Sequence, residues 1–595
     1  METTQSIPKT GGRFIIQPIN EVTVFSREKF SDEHREIEKM VREFCQERVL
    51  PQKAEIEKFN RDLTLSLIRE MGELGLLGID VPEKYGGMEL DKITSAIVAE
   101  SLSAGHCPSF TVTWSVQTGI GCLPIVWFGT PEQKAKYLPK LVSGEKIGAY
   151  GLTEPSAGSD ALSGKTSATL SEDGKHYLLN GEKIFITNGG WADIYIVFAQ
   201  VDGEKFSAFI VDRDTPGFST GTEEKKLGMK GSSTTPLIFQ NAQVPVDNLL
   251  YEVGKGSTIA FNVLNLGRFK LATSDLGGAK TVIENVTNYA LERKQFGQPI
   301  AMFDATMGKI ADMVVRTFAA DSMIYRTIGL IQEAIDELDP ANPSYYIQLG
   351  EAMEDYAIEA SMAKVFGSES SGIVTDMGLQ IYGGYGFIED YPMAGAYRDA
   401  RIDRIWEGTN EINRQIIAGY MMKKALVEEL PIREAIRNID SFVSNGETVS
   451  DHGVLDPECQ SIEIGKRLAL YLLNEALCEF GQDLKHEQQI TEILADIFTD
   501  LYTAESTVVR TKQILAGKNP DVTVSHLAKI YTAEMVLRLL NKSLNALNGI
   551  YRGHTPTSVI DQLRNFQATM LLSTDIIGLK RKIADHVYLK KIYPY

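Results

Sequence analysis

Cysteine is scarce in this chain of 595 residues: the five present, Cys45, Cys107, Cys122, Cys459 and Cys478, are scattered, and none stands in a CxxC pair. That excludes a disulfide framework and points to a reducing compartment. Paired histidine spacing is missing too, with no HExxH among only eight histidines, so no metal site is expected. Neither GxGxxG nor GxxxxGK followed by Ser or Thr occurs, and there is no GxSxG. These absences remove the Rossmann and P-loop ways of holding a nucleotide and the serine elbow of hydrolases. No run of eighteen apolar residues is present, so no membrane-spanning helix is expected and contact with a membrane would at most be peripheral. The opening METTQSIPKTGGRF has neither a secretory apolar core nor an arginine-rich amphipathic pattern. No export or transit peptide is therefore expected, and a bacterial cytoplasm is the expected location.

Positive charge is also in deficit. The formal net charge is -19 with no long basic run to offset it, which disfavours nucleic acid as a partner and suits a protein with a basic docking patch. Hydrophobic residues at 43% and charged residues at 23% are the mixture of an ordinary globular protein. The length exceeds what one hydrophobic core can serve, so several domains are expected.

The patterning that is present divides the chain. After Ser31, with Asp32 and Glu33 as cap and acidic first turn, Ile37, Val41, Phe44 and Val49 recur at helical spacing, and residues 25–150 read as an all-helical domain. From 151 to 256 turn formers recur at Asp173-Gly174, Asn180-Gly181, Asn188-Gly189-Gly190 and Asp202-Gly203, between runs such as KIFIT, DIYIVFAQV and FSAFIVD. That texture predicts an antiparallel β domain built of tight hairpins. Helical periodicity returns over 257–425 as a bundle, broken at Asp339-Pro340. A polar linker is expected over 426–460 and a further helical domain over 461–595, where Ile530, Ala533, Leu537, Leu540, Leu544 and Leu547 predict a packed stripe ending at Gly549 as C-cap. The fold class is α+β multidomain: a helical domain, an antiparallel β domain, a helical bundle and an added helical domain.

Two segments are dense in chemistry. AYGLTEPSAGSD at 149–160 crowds hydroxyls, acids and glycines at the junction of helical and β domains, where it can offer donors to a planar ring or a phosphate. The stretch 380–412 mixes glycines, aromatics, arginines and acids around Glu407, which stands between Trp406 and Gly408. Shielded there, a carboxyl would have its pKa lifted from about 4.3 toward neutral. An ordinary interdomain loop and a solvated surface acid fit the same residues, so composition alone leaves both segments open.

Six strings taken together narrow the choice: FGTPEQKAKYLPKLVSGE at 128–145, LTEPSAGSD, KIFITNG, ERKQFGQPI at 292–300, QIYGGYGF, and RDARIDRIWEGTNEI ending at 412. In this order they resemble the acyl-CoA dehydrogenase family over about residues 30–425. The resemblance implies FAD between the β domain and the bundle. Tyr150, Leu152, Thr153 and Ser159 would run along the flavin ring and pyrophosphate, with Phe185, Ile186 and Thr187 beside the ring. Arg293, Phe296, Gln380, Gly383 and Gly384 would reach the FAD of a neighbouring subunit, and Thr409, Asn410 and Glu411 would complete its contacts. Asp304 stands where some relatives carry a glutamine, so it is left out of the set.

The same resemblance implies oxidation of an acyl-CoA to a trans-2-enoyl-CoA, with Glu407 as base and its backbone N–H holding the thioester carbonyl. Ser159, Asn265, Arg268, Trp406 and Gly408 would line the substrate. Relatives that carry the base on the first long bundle helix have Leu-Glu-Arg where this chain has Leu266-Gly267-Arg268, which assigns the base to Glu407. The extension past 425 resembles the very-long-chain branch and implies a homodimer. Medium to long straight chains and electron-transferring flavoprotein as acceptor are expected from the resemblance. An acyl-CoA oxidase using oxygen, or a non-catalytic scaffold of the same fold, stands as the alternative.

Overall fold

In the computed structural model, which describes residues 7–437, 439, 453–518 and 520–595, the first α-helix starts at the cap residue Ser31. Helix α1 (Asp32–Phe44) starts with a capping box, the Ser31 hydroxyl accepting from His34 N and the His34 ring answering to Ser31 N. Helices α2 (Arg61–Glu73) and α3 (Lys92–Ser103) are capped by Asn60 and Asp91. Helix α4 (Pro108–Thr118) follows, and α5 (Pro131–Val142) begins with a second capping box, Thr130 with Gln133, with Pro131 in its first turn. The α3 helix is buried along almost its whole length, so it forms the centre of this layer rather than its surface.

The sheet domain comprises β1 (Gly148–Gly151), β2 (Ser167–Leu170), β3 (His176–Thr187), β4 (Ile194–Val201), β5 (Lys205–Asp212), β6 (Phe218–Thr220), β7 (Thr234–Pro245) and β8 (Leu249–Leu250), ordered β6-β7-β3-β2-β4-β5-β8 with β1 also on β4. The sheet is mainly antiparallel, as expected, but two of its pairings are not. Both β1 and β2 run parallel to β4, in register Tyr150↔Ile196 and Ser167↔Gln200. The long connections through residues 152–166 and 188–193 make that possible, since parallel neighbours need a crossover. In β4, Ile194, Ile196 and Phe198 join the core shared with the bundle, while Tyr195, Val197 and Ala199 join the core under the first helices. The alternation of a buried strand thus glues two helical layers to one sheet.

Asn180-Gly181 also departs from its reading as a turn. It lies inside β3 at a register irregularity between Leu179 and Gly181 against β7. A Cβ on Gly181 would fall 2.6 Å from the Thr166 hydroxyl, so the glycine serves close approach of two strands and not a hairpin. By contrast Asp173-Gly174 and Asp202-Gly203 do close hairpins, β2 to β3 and β4 to β5.

Beyond the sheet the bundle is carried by α6 (Gly256–Glu292), α7 (Asp304–Asp336), α8 (Ala357–Tyr382) and α9 (Asn410–Leu426), and the added domain by α10 (Asp456–Phe480), α11 (Gln488–Leu515), α12 (Val524–Ile550) and α13 (Ile576–Lys590). One apolar core runs through both. The middle of the expected 426–460 linker lies outside the described residues, and its start holds the short helix Ile432–Arg437. The stripe predicted on α12 is rotated: Ile530, Ala533 and Leu547 are buried, but Leu537 and Leu544 are exposed. Met535, Val536 and Leu539 are buried instead, with the small side chains of Thr532, Ser543 and Ala546 among them. Gly549 lies within the last turn, and Tyr551 is the C-cap.

Residues 8–30, in which the sequence showed no element, form a strap over the bundle and the added domain. Phe14 and Ile15 are fully buried, and the Phe14 ring meets Tyr502 of α11 edge-on with centroids 5.0 Å apart. Polar ties follow the apolar ones: Ile19 N donates to Glu463, Val24 N donates to Gln513 Oε1 at 2.9 Å, and Arg510 reaches Glu28 at 2.8 Å.

Candidate active site

A cavity of about 410 Å³ opens between the sheet and α6. The ends of β1 and β3 supply one wall, through Tyr150, Leu152, Thr153, Phe185, Ile186 and Thr187. What fixes that wall is a charged pair the sequence reading missed. Lys183 and Glu154, both buried, meet at 2.6 Å, and Lys183 Nζ also donates to the Leu152 carbonyl. Glu154 further accepts from the backbone of Lys165 and Thr166, so the 152–160 loop is pinned at its base. Ile184 N donates to Thr153 O, and β3 loses register with β7 between Lys183 and Ile186. Phe185 sits in that break at φ +59° with its ring 62% exposed. Ser159 also lines the cavity, from the exposed part of the loop.

Glu407 enters from the opposite wall on a turn after residues 400–404. It is held in the left-handed region at φ +55°, followed by Gly408 at φ +81°, an arrangement costly for a non-glycine residue and sustained only by its surroundings. Three side chains hold it. Lys364 of α8 donates to Gly408 O at 2.8 Å, Asn413 donates to the same oxygen at 2.8 Å, and Arg268 Nε approaches Glu407 O at 3.4 Å. On the α6 side the turn meets Gly267. A Cβ there would lie 2.6 Å from Glu407 Oε2 and 2.9 Å from its Cδ, so the missing side chain is the space the carboxyl occupies.

That carboxyl is poorly solvated. Oε2 is buried with no hydrogen-bond partner, as are Trp406 Nε1 beside it and Tyr150 OH across the cavity. Burial pushes the Glu407 pKa up to about 7, against the opposing pull of the Arg268 and Lys364 charges. Burial also brings Lys364 down to about 8. A group near neutrality in a dry cavity can take up a proton and release it again at ordinary pH. The Glu407 backbone N–H donates to no acceptor among the described residues, which leaves it free to donate to a ligand.

The sequence-derived residues fall into two groups. Tyr150, Leu152, Thr153, Ser159, Phe185, Ile186, Thr187, Arg268, Trp406, Glu407 and Gly408 all border the one cavity. Arg293, Gly383 and Gly384 border a separate surface cleft, with the Arg293 guanidinium over the Tyr385 ring at 5.2 Å. Phe296 is 93% exposed and Gln380 is exposed nearby. Within this chain the second group does not join the Glu407 cavity.

Four more of the expected residues do not border the cavity. Asn265 does not border the cavity; its carboxamide oxygen accepts from Arg268 Nη1 at 2.6 Å, so it orients the arginine. The Asn410 side chain is turned into the protein, bonded to Lys364, Ser368 and Glu369, and has no capacity left for a ligand. Thr409 caps α9 through its hydroxyl, and Glu411 is exposed in the first turn. Among the described residues no group of His, Cys, Asp or Glu is arranged to hold a metal ion, and no helix is long and apolar enough to cross a membrane.

A flat heteroaromatic group suits the donors and rings of this cavity: the exposed Phe185 and the broken β3 edge on one wall, and buried polar atoms of Tyr150 and, opposite it, Trp406 awaiting partners. Comparison with known proteins gives the same picture from outside. Models of the acyl-CoA dehydrogenase N-terminal, middle and C-terminal domains match residues 31–145, 149–242 and 254–422, and a further acyl-CoA dehydrogenase C-terminal domain matches 465–565. A probable acyl-CoA dehydrogenase of Bacillus subtilis (strain 168) is 42% identical over 588 residues, 98% of both chains. The mitochondrial very long-chain specific acyl-CoA dehydrogenase of Rattus norvegicus is 34% identical over 78% of this chain and 72% of its own. A crystal structure of an acyl-CoA dehydrogenase complexed with FAD from Bacillus anthracis superposes with a TM-score of 0.94 at 41% identity, covering 98% of this chain and 100% of that one.

Proposed function

The chain belongs to the acyl-CoA dehydrogenase family, and on that footing we propose that it is an FAD enzyme oxidising an acyl-CoA to the trans-2-enoyl-CoA, with Glu407 as the base. The observation that carries the reading is the Glu407 carboxyl, raised to about 7 by burial, on a strained turn that fits the gap left by Gly267. Bound FAD supplies the chemistry of accepting a hydride from the β-carbon.

The chain's own residues do the rest. Glu407 takes the α-proton, and its backbone N–H donates to the thioester oxygen, where negative charge builds as that proton leaves. Arg268 and Lys364 keep the turn in place and lower the cost of the carboxylate form. Tyr150 to Thr153 and Phe185 to Thr187 hold the cofactor ring, and the shielding of the cavity keeps water from the proton transfer. The exposed Arg293, Phe296, Gln380, Gly383 and Gly384 are read as contributions to the FAD of a second subunit in a homodimer. Straight acyl chains of medium to long length, a role in fatty-acid β-oxidation in the cytoplasm, and electron-transferring flavoprotein as acceptor complete the proposal.

Anaerobic addition of straight-chain acyl-CoAs, from short to very long, to the flavin-loaded protein tests it. The visible flavin band should bleach stoichiometrically, and Glu407→Gln should abolish the bleaching while keeping the flavin. Bleaching in the Gln variant at the parent rate would overturn the assignment of the base. Rapid reoxidation in air, with none by electron-transferring flavoprotein, would replace the dehydrogenase with an oxidase.

A further inference from the structure

The turn that presents Glu407 is held on both sides of the base. After it, Lys364 of α8 grips the Gly408 carbonyl. Before it, the segment 400–404 meets the same helix two turns further along, at Ser371 and Gly372, about 10 Å from Lys364. Gly372 has no Cβ where the Arg404 guanidinium lies, and a side chain there would collide with it. The preceding residue, Asp403, meets Asp275 of α6. The two helices pass close at this level: a Cβ on Gly367 would lie 3.2 Å from the Ala272 Cα, one turn before Ser371 and Asp275.

Asp275 and Asp403 are 4% and 6% exposed, and both border the cavity that holds Glu407. The Asp403 carboxyl donates to Asp275, and the Ser371 hydroxyl donates to Asp275 as well. Two buried carboxyls in contact do not both ionise at neutral pH, so the pair keeps one proton between them. Burial raises both groups, Asp275 to about 7, and the charge of Asp275 raises Asp403 further. Three other charges face the pair. Lys364 favours ionisation of both acids, Arg404 favours that of Asp275, and Asp399, one turn before Asp403, opposes that of Asp403. Lys364 spends its hydrogen bonds on Gly408 O and Asn410 Oδ1, so a proton and not this cation joins the two acids.

We propose that Asp403 is a positioning residue for the base: through the proton it shares with Asp275 it clasps the segment before Glu407 to α6 and α8, and loss of that proton opens the clasp and misplaces the carboxyl. This rests on the reading of Glu407 as the base. Ionisation of Glu407 makes the enzyme active, and the clasp keeps it so only while the shared proton stays. At more alkaline pH two buried carboxylates face each other and repel, the turn shifts, and the rate falls again.

The test is the pH profile of anaerobic flavin reduction by a straight-chain acyl-CoA, in the flavin-loaded enzyme and in two variants. The parent should give a bell, rising as Glu407 ionises and falling on the alkaline side. Asp403→Leu removes the donor, and reduction at neutral pH should slow by about ten- to a hundredfold, with flavin content kept and KM little changed. Asp403→Asn returns a donor to Asp275 that has no proton to lose. It should recover most of the rate lost in the Leu variant and hold that rate at alkaline pH, where the parent declines. A parent without the alkaline fall, an Asn variant that still shows it, or an Asn variant as slow as the Leu variant overturns the proposal. So does a Leu variant that reduces its flavin at the parent rate. Failure of the Glu407 reading is seen separately, as bleaching of Glu407→Gln at the parent rate, whatever the Asp403 variants do.

Discussion

Replacing Gly267 by alanine separates the chemistry of the site from its stability. The position lies inside α6, where alanine is favoured over glycine by roughly 0.8–1.0 kcal/mol, so the helix itself gains. The added Cβ meets Glu407 Oε2 at 2.6 Å and Oε1 at 3.2 Å, with no backbone atom among its nearest contacts. Ordinary carbon contacts lie near 3.5–4.0 Å, and the obstructing group is the free end of a flexible side chain. The protein therefore folds, and the carboxyl moves by roughly an ångström. A misplacement of that size costs about a hundredfold in rate, or roughly 2.7 kcal/mol of barrier. Stopped-flow reduction of the bound flavin under anaerobic conditions reads the rate, and thermal unfolding reads the stability. The expected result is a melting point at or above that of the parent with flavin reduction slowed about a hundredfold. Reduction at the parent rate would show that the carboxyl does not occupy the space beside Gly267 during the reaction, and the argument for the base would fall with it.

Further tests follow from the same geometry. Because the base must be unprotonated, the rate of flavin reduction should rise with pH through about 7, and a flat profile across that range would contradict a buried Glu407. The same group makes stability fall as pH rises from about 4.5 to about 7, since the folded state holds the proton more tightly over that window. Glu407→Gln should thus gain stability relative to the parent as pH rises through it, by an amount on the order of 3 kcal/mol, measured by denaturant unfolding at several pH values. Lys183→Met strands the Glu154 charge in the interior, at a cost of about 3–5 kcal/mol, and should lower flavin occupancy by releasing the 152–160 loop; unchanged melting and flavin content would refute the pinning role. Phe14→Ala removes a fully buried ring between strap and added domain and should cost about 3–5 kcal/mol, while the kcat of the folded protein stays at the parent value.

Local rules made part of this legible. Ser31 and Thr130 start helices because their hydroxyls cap exposed N–H groups, information contained within four residues. Asn180-Gly181 defeated the turn rule because its glycine answers to Thr166, a strand away. The α12 stripe was misplaced because several apolar registers compete on this helix, and the one that packs runs through Met535, Val536 and Leu539, with Thr532, Ser543 and Ala546 beside them, rather than through Leu537 and Leu544. At the site, Glu407 could be singled out from its apolar flank and from motif strings. Lys183, Lys364, Asn413 and the Asp275–Asp403 pair could not, since each reads as an ordinary surface residue until the fold supplies its partner. Arg293 and Phe296 stay exposed for a related reason: their role in the proposal needs a second chain.

The strap carries a consequence for how the protein is made. Val24 pairs with Gln513 across 489 positions, and Glu28 with Arg510 across 482. At about 5–20 residues per second, the ribosome delivers those partners on the order of half a minute to two minutes after the strap has emerged. Over that interval Phe14 lacks the Tyr502 ring it packs on and Val24 lacks Gln513, and the half-covered strap is a natural target for chaperones during translation.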